Sequence, residues 1–163
     1  MSAHYAAWIR IGGRVKRSKV EQLLKAIREA SVSLEWGDAP FAPQTGDDLL
    51  AARQDGCLWF CDDQAIWGEF PEIEAACRKL KLGYTRHTEG ACDCDAELVD
   101  SRPRMREPLV RIGSNVSSEI TLAPTDAVRE ALAHLEAGRT QQALRVLRKL
   151  CPRVPELPAF EIV

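Results

Sequence analysis

Six cysteines in a chain of 163 residues invite a search for metal or thiol chemistry. Cys57 and Cys61 are four apart, and in a strand that separates them by roughly 13 Å, too far for one tetrahedral zinc. Cys92 and Cys94 lie closer, with His87 upstream, but no second cysteine pair completes a zinc knuckle. Cys57, Cys61, Cys77 and Cys151 read as small core residues, the usual role of a free cysteine. Cys92 and Cys94 are the only ligand candidates, and neither a metal nor any other cofactor is expected. A Cys61 nucleophile with His87 as base and Asp62 orienting the imidazole would follow cysteine–histidine logic. The residues around them match no protease or transferase signature. The chain has no G-x-x-x-x-G-K-S/T, G-x-G-x-x-G or G-x-S-x-G motif. Gly12-Gly13 ahead of Ser18 is the nearest approach to a phosphate cradle, and it reads as turn punctuation.

Carboxylates offer a second chemistry. Asp62 and Asp63 follow the most apolar stretch of the chain, with Glu69, Glu72 and Glu74 just beyond. A metal-dependent nuclease or phosphatase needs several such acids converging from different strands. The blander alternative is an aspartate pair in a solvated turn before a helix, whose N-terminus favours negative charge. No catalytic residue is assigned, and a non-enzymatic protein is the expectation.

Charge is segregated although the net charge is only −2. Residues 8–30 carry seven basic and two acidic side chains, including the cluster Arg14, Lys16, Arg17 and Lys19. Residues 45–75 reverse this, with Arg53 alone against eight acids. Such asymmetry points to an interaction surface. Asp62, Asp63, Trp67, Glu69 and Glu72 would suit a basic protein or nucleoprotein complex, with Trp67 as the buried anchor. The basic cluster would instead suit nucleic-acid phosphates, though no recognition-helix motif accompanies it. Membrane and small-molecule partners are not expected. The N-terminus lacks a secretory leader, no apolar run reaches the ~20 residues of a membrane span, and no lipidation signal is found. A cytoplasmic protein with reduced cysteines follows as the expectation.

The elements that must position these residues are legible from periodicity. Tyr5 to Gly12 alternates as a strand, ended by Gly12-Gly13. Ser18-Lys19-Val20-Glu21 matches a capping box, and Val20, Leu23, Leu24 and Ile27 form a helical stripe. Ser31–Trp36 alternates again. A short helix is expected over Asp47–Gln54, stopping at Gly56. Cys57–Cys61, apolar on both faces, reads as a central strand that Asp62-Asp63 ends. Pro71 opens a helix with the stripe Phe70, Ile73, Cys77 and Leu80, capped by Gly83. Strand-like pieces follow at Tyr84–Thr88, Ala96–Val99, Leu109–Ile112 and Glu119–Leu122. Thr125 to Gly138 and Thr140 to Pro152 form a helical hairpin, with Val128, Ala131, Leu132 and Leu135 expected on one side of the first helix and Ala143, Leu144, Leu147 and Leu150 facing inward from the second. The expectation is a single α+β domain, 1–163, with one mixed sheet and packed helices. It comprises a sheet portion at 1–123, a C-terminal αα-hairpin at 124–151 and an extended Pro-rich tail at 152–163.

The run from Asp48-Leu49-Leu50 through Asp62-Asp63-Gln64-Ala65, with Gly68-Glu69-Phe70, Glu72-Ile73-Glu74, Asp95-Ala96-Glu97-Leu98-Val99 and Arg102-Pro103, resembles a loose family of small accessory proteins of phages, plasmids and integrated elements. The resemblance implies no catalytic residue. It implies a mobile-element accessory protein that binds a partner, in the manner of anti-CRISPR inhibitors of host defence.

Overall fold

In the computed structural model, the described residues are 3–90, 95–113, 124–151 and 153–163. They form an α+β fold. Strand β1 (His4–Val15) is followed by a 3-10 turn at Arg17–Lys19, then α1 (Val20–Ala30), α2 (Gly46–Ala51), β2 (Arg53–Gln54) and β3 (Cys57–Ile66). Next come α3 (Pro71–Leu80), β4 (Gly83–Thr88), β5 (Glu97–Ser101), β6 (Leu109–Ile112), α4 (Thr125–Glu136), α5 (Thr140–Leu150) and β7 (Phe160–Ile162). The sheet order is β2-β3-β1-β4-β5-β6, antiparallel throughout, and β7 joins β1 in parallel.

Register assigns the two faces. Ile9 pairs with Phe60 and Arg86, and Ile11 with Leu58 and Tyr84. These side chains share the face packed by α1 and α3, where Leu23, Leu24, Ile27, Ile73 and Cys77 complete a fully buried cluster. Each such aliphatic or aromatic side chain contributes about 1.5–3 kcal/mol on burial. The amphipathic stripes of both helices therefore fall where the sequence pattern places them.

Several local expectations are corrected. β1 does not stop at Gly12-Gly13 but continues to Val15. The glycines serve the tail instead. A Cβ at Gly12 would overlap the Pro158 carbonyl oxygen, and Gly13 pairs with Phe160 in β7. The tail is anchored there by the Phe160 N–H to the Gly56 carbonyl at 2.8 Å and by Arg102 Nε to the Pro155 carbonyl at 2.8 Å. Ser18 caps nothing: it lies inside the 3-10 turn, and Lys19 is the N-cap of α1 without a side-chain bond. The capping box is at α2, where Thr45 and Asp48 bond reciprocally. Residues 31–36 form no strand beyond a single bridge between Ser33 and Cys61, since the chain bends at Leu34-Glu35 and turns at Trp36-Gly37. The second helix ends at Ala51, and Arg53–Gln54 turn back as β2.

β3 runs through Asp62-Asp63 to Ile66. Tyr5 pairs with Ala65 and Ala7 with Asp62, so Asp63 and Gln64 together oppose Ala6 in a β-bulge. Lys81, not Gly83, takes the left-handed position after α3. The hairpin follows expectation at its alanines and departs from it at its leucines. Ala131 and Ala143 are buried, while Leu132, Leu135 and Leu147 are exposed and Leu144 and Leu150 half-buried. Small residues bring α4 and α5 together and leave the leucines outside. Cys151 is exposed at the end of α5, whereas Cys57, Cys61 and Cys77 are buried. The strand-like piece at 119–122 lies outside the described residues.

A candidate partner-binding groove around Trp67

The bulge and the turn after β3 build the most chemically distinctive surface. Trp67 and Gly68 both adopt positive φ, 55° and 65°. For tryptophan this left-handed conformation costs about 1–2 kcal/mol, so the surroundings must enforce it. The Trp67 N–H donates to the Ala3 carbonyl at 2.9 Å, and the Gly68 N–H donates to the Ala65 carbonyl at 3.1 Å. The Gly68 carbonyl accepts from Arg86 Nη1 and from Thr88 Oγ1, each at 2.8 Å.

Arg86 is buried, and its guanidinium also meets Glu74 at 3.1 Å and Glu97 at 3.2 Å. Glu74 accepts in turn from the Tyr84 hydroxyl at 2.9 Å. Burial is the first cause that pushes the Tyr84 phenol well above its ordinary value, and the Glu74 carboxylate adds to it. An inward-facing ionic network thus fixes the turn from below.

Above it, Trp67 is 52% exposed and Ile66 55% exposed. They edge a groove of about 470 Å³ whose lining includes Glu29, Asp62, Glu69 and Glu72, with Phe70, Pro71 and His4. No lysine or arginine lines it among the described residues. The carboxylates of Glu69 and Glu72 have no hydrogen-bond or ion-pair partner among the described residues, while Glu29 is 3.6 Å from Lys25. Asp62 accepts from the Gln64 N–H at 2.8 Å.

Four of the five residues expected to bind a partner therefore converge: Asp62, Trp67, Glu69 and Glu72. Asp63 does not join them. Its carboxylate accepts from the Gly37 N–H at 3.2 Å, beside the loop that carries Glu35 and Asp38. The acidic stretch 45–75 is likewise divided, since Asp48 caps α2 and Glu74 turns inward. Glu29 and Ile66 were not singled out from the sequence. Glu29 reaches the groove only because α1 ends beside the β3 bulge, which no local pattern announces.

The other constellations separate. Trp8 pairs with Cys61 on one side and His87 on the other. Cys61 and His87 therefore lie two strands apart, about 9–10 Å, with Trp8 between them. The Trp8 and His87 rings stack at 5.6 Å, and both imidazole nitrogens lack a partner among the described residues. Burial, reinforced by nearby carboxylates, pushes the Cys61 thiol up to about 11, far from the thiolate a nucleophile needs. Asp62 and Asp63 are tied to different backbone donors. Among the described residues no group of three or more histidine, cysteine or acidic side chains is placed to hold a metal. Cys92 and Cys94 lie outside the described residues.

In the basic cluster, Arg14 is paired with Glu161 at 2.7 Å. Lys16, Arg17 and Lys19 are exposed, and none has a side-chain ion pair among the described residues. No helix among the described residues is long and apolar enough to cross a membrane. No protein-family model, curated protein or solved structure matches this chain.

Proposed function

We propose that the protein acts by binding rather than catalysis, and that its partner is a basic protein or nucleoprotein surface received in the Trp67 groove. The conformation of Trp67 carries the proposal. A large aromatic is held at positive φ, half exposed, beside Ile66 and the carboxylates of Asp62, Glu69 and Glu72, the last two without a side-chain partner among the described residues. Folding alone does not need this arrangement, since glycine would fit the backbone without strain. Trp67 supplies anchor area, while Asp62, Glu69 and Glu72 supply steering and register for lysine or arginine side chains. Kinship with accessory proteins of mobile elements would make the partner a host-defence complex of the kind anti-CRISPR proteins block.

The test is co-purification from nuclease-treated extract with wild type, Trp67→Ala and the double variant Glu69→Lys/Glu72→Lys. A bound protein lost in both variants, with unchanged melting, supports the proposal. Trp67→Ala is expected to cost about 2 kcal/mol of binding or more, mainly through faster dissociation. Charge reversal is expected to slow association. Equal retention by all three proteins would overturn it.

A second reading has one observation in its favour: Lys16, Arg17 and Lys19 are solvent-facing and unpaired among the described residues. Nucleic-acid binding there would weaken steeply with salt and be lost in the triple glutamate variant, with Trp67→Ala indistinguishable from wild type.

A further inference from the structure

The α4–α5 hairpin carries apolar surface that its own packing does not use. Val128, Leu132 and Leu135 are 38%, 52% and 48% exposed. They follow at i, i+4 and i+7, which makes them one stripe along α4. The stripe is close to symmetric about Leu132, which lies four residues after Val128 and three before Leu135. In an antiparallel pairing with a second copy, Leu132 meets its own counterpart, and Val128 meets Leu135 of the second copy at each end.

The flanking charges fall within one residue of the same register. Arg129 and Glu136 are seven residues apart and so lie along one edge of the stripe. Antiparallel pairing about Leu132 sets Arg129 opposite Glu136 of the second copy, and the reverse contact repeats by symmetry. Both side chains are exposed, and neither has an ion pair among the described residues. A partner of single charge sign would meet one attractive and one repulsive flank. A second copy meets two attractive ones.

We propose that α4 is the two-fold interface of a homodimer, in which two helical hairpins associate through the Val128–Leu132–Leu135 stripe with reciprocal Arg129–Glu136 pairs. The contact is isologous, so it closes at two copies. A stripe of this size is small beside the roughly 800 Å² per partner of a standard interface, and the dimer therefore dissociates on dilution.

Sedimentation equilibrium over a dilution series tests this on the full chain. Wild type is expected to show a monomer–dimer equilibrium. Leu132→Glu places two carboxylates at the two-fold axis and is expected to abolish the dimer, with unchanged circular dichroism because Leu132 is half exposed. Arg129→Glu and Glu136→Arg are each expected to weaken association about tenfold or more by creating like-charge contacts. The double variant Arg129→Glu/Glu136→Arg restores both contacts and is expected to recover near wild-type association. A wild type monomeric at every concentration, a Leu132→Glu dimer, or a double variant as weak as either single one would overturn the proposal.

Discussion

Gly68→Ala interrogates how the Trp67 turn is held. Gly68 sits at φ +65°, where a Cβ costs about 1–2 kcal/mol in backbone energy alone. The added methyl would run into Thr88 Cγ2 and Oγ1 and stand 2.8 Å from Thr88 Cβ. Thr88 has little room to yield. It is β-branched and buried, and its hydroxyl donates to the Gly68 carbonyl while accepting from Arg86 Nη1 at 2.8 Å. Overpacking of this kind costs about 1–3 kcal/mol, and a loosened hydrogen bond about 1 kcal/mol. The sum is about 3–6 kcal/mol, a large share of the stability of a domain this size.

Urea unfolding of Gly68→Ala, Thr88→Ala and the double variant separates these contributions. Once Thr88 is alanine, the methyl and hydroxyl are gone and mainly the positive φ remains, so Gly68→Ala should then cost about 2 kcal/mol. A coupling of about 1–3 kcal/mol between the two sites is expected. Equal costs in both backgrounds, or a single-variant cost below about 1 kcal/mol, would refute the reasoning.

Gly12→Ala pushes a methyl into the Pro158 carbonyl, a backbone atom that cannot rotate away. It should lower stability by about 2–4 kcal/mol and speed protease trimming of residues 153–163, both read against wild type by melting and limited proteolysis. Lys81→Gly places glycine at φ 59° after α3 and should stabilise by about 0.5–1 kcal/mol in denaturant unfolding; a loss would count against a strained cap. Asp48 is held below its ordinary value of 3.8, first by the Gln44 N–H and then by Thr45. A lowered carboxylate contributes stability above its unfolded value and loses it as pH falls through the folded one. The acid limb of the melting profile below pH 3.8 should therefore flatten in Asp48→Asn, and an unchanged limb would exclude a role for the cap.

Periodicity alone located the helices α1, α3, α4 and α5 and the strands β1, β3, β4, β5 and β6. Their apolar residues recur at 3.6 or 2, a local property of the chain. Trp67 and the acids around it were legible too, because an aromatic among acids is visible as composition. Other features were not local. The end of β1 was misread because Gly12 and Gly13 admit the chain's own tail, a contact across nearly 150 residues. The Asp62-Asp63 pair reads as a strand end because it is polar, yet neighbouring β1 carries the strand on through a bulge. The hairpin's leucines share the spacing of a core helix, and only the close approach at Ala131 and Ala143 decides that they face outward.

Sequence by itself determined the α+β class, the helix faces and the presence of an acidic, tryptophan-bearing segment, since each depends on patterns within one element. Tertiary structure decided which acids work together. Asp62, Glu69 and Glu72 meet Glu29 at the groove, Glu74 turns in to the buried Arg86, and Asp63 is drawn to Gly37. That sorting depends on strand register, a bulge and the close of α1 against the sheet. These are set by long-range packing, where one residue of slip reverses the face a side chain occupies.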